Sequence, residues 1–287
     1  MESLLVIGCG YLGRRLAARW NTAGGKVWAT TRSETTAEEF RSLGWDPVVL
    51  DLASPEGRLP AADNVVWAVG YDRSAGIDRR RIWIDGLKWV LVNGPEFRSF
   101  SYVSSTSVYG DVQDELVDER TALRPLTDGA KCCVEAEQLV RQHGDVQGLR
   151  TNILRMAGIY GPDRLLRRIT DLKNQTPING AADHWLNLIH VDDGAKTVEH
   201  IAKAETAPQC MNVVNQQTVT RQAYYSQLAK LSDAPSPIFG TNDAAGRSRG
   251  PNKRVTTVCR EFYPALEFDD VLAGLKAAFQ ASSSVDS

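Results

Sequence analysis

Three glycines at fixed spacing, Gly8, Gly10 and Gly13 in the stretch Gly8-Cys9-Gly10-Tyr11-Leu12-Gly13, are the residues of this chain best suited to hold a charged group. In a G-x-G-x-x-G turn the first glycine permits a sharp reversal from strand to helix. The second removes the Cβ that would keep backbone N–H groups away from a phosphate, and the third lets the helix lie close on the strand. A pyrophosphate held there rests on the partial positive charge of the helix N-terminus. A second signal follows at Thr31-Arg32-Ser33. About 20 positions past such a turn an acidic residue usually receives a ribose hydroxyl, whereas an arginine suits a 2′-phosphate. Arg32 therefore favours NADP over NAD, with NAD as the alternative because Glu34 lies only two residues on.

These residues need a strand before the turn and a helix after it. Leu4 to Ile7 is an unbroken apolar run of the kind found in strands covered on both faces. Leu12, Leu16 and Trp20 then recur at helical spacing with Arg14, Arg15 and Arg19 on other faces. Further strands are expected over 26–31, 47–50, 64–69, 99–103 and 149–154, and helices over 35–43, 77–92 and 127–142. Strand and helix alternate over the first 160 residues, which implies an α/β fold, a Rossmann-type doubly wound parallel sheet. Beyond Pro162 the rhythm changes to shorter mixed elements. Residues 1–160 are thus expected to form the dinucleotide domain, with 185–204 returning to it, and 161–287 mainly a smaller C-terminal α/β substrate lobe.

Composition narrows the class of function. The 287 residues carry a net charge of −2, with 43% hydrophobic and 24% charged residues, as in an ordinary soluble protein. That balance argues against a nucleic-acid or membrane-surface partner. No stretch reaches the roughly 20 apolar residues of a membrane span, and the N-terminus lacks a secretory signal pattern, so a cytoplasmic location is expected. Cys9, Cys132, Cys133, Cys210 and Cys259 are scattered without C-x-x-C spacing, which indicates neither a disulfide framework nor a metal site.

Six segments in order together resemble the extended and atypical short-chain dehydrogenase/reductases, the NAD(P)-dependent epimerase/dehydratase family. They are the glycine turn, Asp51-Leu52, Ser104 to Gly110 (SSTSVYG), the helix with Lys131 and Glu135, Leu154 to Pro162 (LRMAGIYGP) and Ile189 to Asp193 (IHVDD). The resemblance implies a cofactor set of Gly8, Gly10, Tyr11, Leu12, Gly13, Arg32, Asp51 and Lys131. It implies that Ser105 binds the substrate oxygen and that Lys131 holds the nicotinamide ribose. In the family's Y-x-x-x-K pattern, the position of the catalytic tyrosine is Thr127.

A phenol can be brought toward neutrality by a neighbouring ammonium, but an aliphatic hydroxyl ionises far less readily. Thr127 is better read as a helix N-cap after Pro125. Tyr109 and Tyr160 are then the alternative proton carriers, while His190 reads as a contact between lobes. Arg164, Arg167 and Arg168 suit either a diphosphate clamp or a solvated helix face. Two functions follow. One is hydride transfer on a hydroxyl or keto carbon of a nucleotide sugar or small carbonyl compound; the other is a catalytically impaired NADP-binding sensor. The resemblance also implies a homodimer.

Overall fold

Strand β1 (Ser3–Ile7) lies inside a seven-stranded sheet in the computed structural model, which describes residues 2–72, 74, 76–94, 97–112, 116–164, 166–240 and 252–283. Successive side chains of a strand point to opposite faces. Leu4 and Val6 accordingly join one hydrophobic cluster and Leu5 and Ile7 another, and all four are fully buried. Burial on both faces is why the run is unbroken in its hydrophobicity.

The other strands are β2 (Lys26–Thr31), β3 (Asp46–Val49), β4 (Asn64–Trp67), β5 (Ser99–Ser105), β6 (Arg150–Met156) and β7 (Cys210–Val213). Their spatial order is β7-β6-β5-β4-β1-β2-β3, and every pairing is parallel. The expected Rossmann-type doubly wound sheet is therefore present. Chain direction across the sheet reverses between β1 and β4, and in open α/β sheets ligands bind outside the carboxyl ends of the strands at such a switch. The ends of β1, β2, β4 and β5 converge there.

Helix α1 (Tyr11–Thr22) covers one face, and α2 (Glu34–Ser42) links β2 to β3. On the opposite face lie α3 (Gly86–Asn93) and α4 (Asp128–Gln147), whose Leu87, Val90, Ala136 and Val140 meet Leu5 and Ile7. The helix expected over 77–92 instead enters α3 through a π turn, Arg81–Asp85. Thr127 caps α4 by accepting the Ala130 N–H at 3.2 Å, and Gly148, at φ 64°, ends it in the left-handed conformation that glycine adopts without strain.

Beyond α5 (Leu166–Lys173), α6 (Val191–Lys203) returns to lie beside α1 on the sheet. Strand β7, which the sequence reading grouped with the C-terminal lobe, instead completes the sheet by pairing Met211 with Leu154. Its Met211 and Val213 are fully buried there. The apolar stretch 185–189 predicts one short strand, but the chain divides at Asn187, whose amide side chain bonds the Lys253 carbonyl and the Val255 N–H. Trp185–Leu186 consequently pairs with Val219–Thr220, and Leu188–His190 with Gly158–Tyr160. A third cluster holds Tyr160 and Leu172 against α7 (Arg221–Leu231) and α8 (Val271–Ser283) through Tyr224, Leu228, Val271 and Leu275. The polar, glycine-containing stretch 71–76 predicts a loop, of which residues 73 and 75 lie outside the described residues, as do 284–287 of the serine-rich stretch 281–287. No described helix is long and apolar enough to cross a membrane.

Candidate functional site

The glycine turn has the geometry its sequence demands. Gly8, at φ 83°, leaves no room for a side chain, because a Cβ there would lie 2.6 Å from the Cα of Val69 at the end of β4. Gly13 is equally constrained, its Cβ position being 2.9 Å from the Gly8 carbonyl oxygen and 3.0 Å from Val6. Gly10 differs, since nothing lies within 4 Å of where its Cβ would be. Its lack of a side chain serves space rather than packing. No side chain caps α1, so its first-turn N–H groups stay open toward that space. Thr30 fixes the turn by accepting the Gly8 N–H on its hydroxyl at 2.8 Å. A pyrophosphate fits this arrangement: bare amides, a helix N-terminus without acidic first-turn residues, and an open approach.

Two cavities meet over the turn. One, of about 250 Å³, is lined by Gly8, Cys9, Gly10, Thr31, Arg32, Asp51 and Asp72 among others. The other, of about 300 Å³, runs past Tyr11, Leu12, Val69, Gly70 and Trp83 to Ser105, Cys133, Met156 and Arg164. Gly10, Val69 and Gly70 belong to both. The structure thus brings Gly8, Gly10, Tyr11, Leu12, Arg32, Asp51 and Ser105 to one continuous cleft. Asp51 holds its own turn by accepting the Ala53 N–H at 2.9 Å. Cys9 is a packing residue, its thiol pushed up to about 12 by burial, with Arg14 opposing.

Ser105 is the hydroxyl on the cleft wall. Its Oγ accepts the Ser107 N–H at 3.1 Å, capping the short 3₁₀ turn Thr106–Tyr109. That bond occupies a lone pair and leaves the hydroxyl proton to donate elsewhere.

The expected partners of Ser105 lie elsewhere. Lys131 is not on the cleft wall; it is exposed and sits 3.6 Å from Asp128, while Thr127 is occupied as the α4 cap. The α4 residue that lines the cleft is Cys133, and the residue one turn before it on the same face is Gly129. Glu135, on the same segment, forms a bidentate ion pair with Arg80 at 2.7 and 2.9 Å. Helix α4 therefore turns Cys133 toward the cleft and its lysine outward, while Gly129, one turn earlier, faces Arg79. Cys133 has its thiol pushed up to about 11 by burial and then by Glu137, so it is neutral.

Tyr109 does not line the cleft either. It is fully buried, donates to Asn212 Oδ1 at 2.7 Å and accepts from Arg155 at 3.0 Å. Burial raises its phenol to about 12 despite Arg155. Tyr160 packs in the C-terminal cluster, 5.2 Å from the His190 ring, and does not line the cleft. His190 is buried against Phe268 at 3.9 Å and accepts the Asp192 N–H, and burial lowers its pKa, as suits a contact between lobes. Asp193, in the first turn of α6, is buried and accepts the N–H groups of Glu267 and Phe268 at 2.7 and 2.9 Å. The cleft tyrosines are Tyr11, its phenol raised to about 12 by burial, and Tyr102, raised further by burial. Neither titrates near neutrality.

Residues 85–215 match the model of the NAD dependent epimerase/dehydratase family. Over that stretch the chain is similar to that family. Among curated relatives it is similar to Protein YeeZ of Escherichia coli (strain K12), 27% identical over 261 residues, covering 87% of this chain and 90% of that protein. It also resembles 4-hydroxy-2-methyl-3-oxo-4-farnesyl-3,4-dihydroquinoline-1-oxide ketoreductase of Stigmatella aurantiaca, 30% identical over 173 residues, 57% of this chain and 52% of that enzyme. Among solved structures, UDP-glucuronic acid 4-epimerase of Bacillus cereus in complex with UDP-glucuronic acid and NAD matches with a TM-score of 0.78 and 16% identity over 99% of each chain. That likeness concerns the fold. Against this epimerase/dehydratase background, the described residues of the cleft keep the glycine cradle and the serine while α4 presents neither tyrosine nor lysine.

Proposed function

We propose that this protein binds NADP(H) across the Gly8–Gly13 turn and transfers hydride to or from a hydroxyl- or keto-bearing carbon of a small substrate, a nucleotide sugar or a small carbonyl compound. The observation that carries this reading is the single cleft from Arg32 through the open space at Gly10 to Ser105. When bound, the nicotinamide supplies or accepts the hydride. The chain's own part is to hold and orient: the amides after Gly10 take the pyrophosphate, and Arg32 at the mouth of the first cavity takes the 2′-phosphate. Ser105 donates a hydrogen bond to the substrate oxygen, where negative charge develops as a carbonyl is reduced. The similarity to the Stigmatella aurantiaca ketoreductase and the Bacillus cereus epimerase supports the substrate class.

Ser105→Ala is expected to lower turnover about 100-fold while leaving dinucleotide affinity unchanged. The assay follows the reduced-nicotinamide absorbance with a panel of nucleotide sugars and small carbonyl compounds. A second reading, an NADP-binding sensor, is favoured by Cys133, which with neither tyrosine nor lysine beside it is the α4 residue on the cleft wall. Tight cofactor binding with no oxidation or reduction across the panel supports the sensor.

Arg32→Asp tests the choice of coenzyme. Replacing a guanidinium with a carboxylate at the 2′ position should repel the phosphate of NADP and accept the ribose hydroxyls of NAD. The ratio of the two dissociation constants, measured by calorimetry, is expected to shift at least about tenfold toward NAD. An unaltered ratio removes the case for NADP.

A further inference from the structure

The guanidinium of Arg164 lies 4.3 Å over the ring of Tyr11, the residue that follows Gly10 in the glycine turn. It lines the same cavity as Gly10, Leu12 and Ser105. Three nearby arginines are engaged: Arg14 with Glu39 at 2.5 and 2.9 Å, Arg15 with Asp192 at 3.4 Å, Arg168 with Asp171 at 3.1 Å, while Arg32 lines the other cavity. Among the described residues Arg164 has no carboxylate within ion-pair distance, and the side chain of Arg167 lies outside them. The loop that carries Arg164 is tied to the turn itself. Tyr11 donates its hydroxyl to the Pro162 carbonyl at 2.6 Å, and Gly161 passes so close that a Cβ would meet the Tyr11 oxygen at 2.6 Å. Asp163 N–H bonds Ser282 of α8 at 3.1 Å, anchoring the same loop from the far side.

We infer that Arg164 is a diphosphate clamp, stacked on Tyr11 so that its planar fork closes over a diphosphate bound at the open amides of α1. The inference rests on the proposed dinucleotide reading and deepens it. The amides supply hydrogen bonds but no net charge, and a diphosphate carries negative charge that an unpaired guanidinium neutralises with bidentate geometry. Stacking on the tyrosine face holds that fork flat and limits the rotamer freedom lost on binding. The diphosphate belongs either to the dinucleotide or to a nucleotide-sugar substrate reaching the same cavity, and the two are separable.

Calorimetry on the full chain with NADPH, adenosine 2′-monophosphate and UDP-glucose tests this. Arg164→Ala should weaken NADPH about 10- to 100-fold while adenosine 2′-monophosphate, which lacks the diphosphate, stays within about twofold. Arg164→Lys should recover part of the loss, because it restores charge without the fork. Weakening confined to UDP-glucose assigns the clamp to the substrate's diphosphate. Arg164→Ala that changes neither diphosphate ligand overturns the inference, and so does a parallel loss of all three ligands, which reports a structural role. Wild-type protein that binds neither NADPH nor UDP-glucose overturns the dinucleotide reading as well; wild-type binding indifferent to Arg164 overturns the clamp alone.

Discussion

Gly10→Val is expected to abolish dinucleotide binding while leaving the protein folded and its melting temperature nearly unchanged. The Cβ position at Gly10 faces open space with nothing within 4 Å, and the backbone φ of −91° is one that any residue adopts, so the fold has no objection to a side chain. The isopropyl group would stand where a pyrophosphate must approach the first-turn amides. Each charged hydrogen bond lost there is worth about 1.5–3 kcal/mol, so affinity should fall by at least about 100-fold. Gly8→Val is the contrasting case. At φ 83° and 2.6 Å from Val69 Cα, it should disrupt the turn and destabilise the protein itself. Calorimetry with NADPH and NADH, alongside thermal unfolding, separates the two. Unchanged affinity in Gly10→Val would remove the pyrophosphate from this turn.

Much of this site was legible in the sequence because it is local. The strand, glycine turn and helix lie within Ser3–Thr22, and each glycine's role follows from spacing alone. The N-cap role of Thr127 was equally local, three residues from the N–H it accepts. What escaped the reading depends on which way a helix faces and on contacts between distant segments. Lys131 and Cys133 are two positions apart, so they point about 200° from one another around α4. The motif favoured Lys131, but the buried spacing Cys132, Cys133, Ala136, Val140 was the available signal that the helix turns its small sulfur-bearing face inward. The burial of Tyr109 could not be read from its neighbours, because its partners stand at positions 155 and 212. Likewise β7 is short and follows a lobe of mixed rhythm. Only its pairing with β6 shows that it belongs to the sheet.

Loss of the Arg155–Glu137 ion pair is expected to produce the largest change in stability. The two side chains are 4% and 3% exposed, and Arg155 donates to both carboxylate oxygens at 3.0 and 2.8 Å. Ser104 gives Glu137 a third bond at 2.7 Å, and Tyr109 relays Arg155 to Asn212 of β7. Burial alone would lower the Arg155 pKa, but the Glu137 hydrogen bonds and charge more than reverse this, so the guanidinium stays charged above its ordinary value. Removing one member strands the other charge in the interior. Arg155→Met should therefore cost about 3–5 kcal/mol, read as a lowered urea midpoint. Arg155→Met combined with Glu137→Leu should recover most of it, since the desolvation of both ions disappears together. A single-variant loss below about 1 kcal/mol would show that the pair is dispensable. The consequence reaches the cleft through register: Ser104 is paired with Arg155, and the next pair along the two strands is Ser105 with Met156, both on the cavity wall. Where the destabilised variant still folds, its Ser105 should be less well held. Turnover should then fall further than dinucleotide affinity, because the first-turn amides of α1 follow β1 and are not bonded to this network.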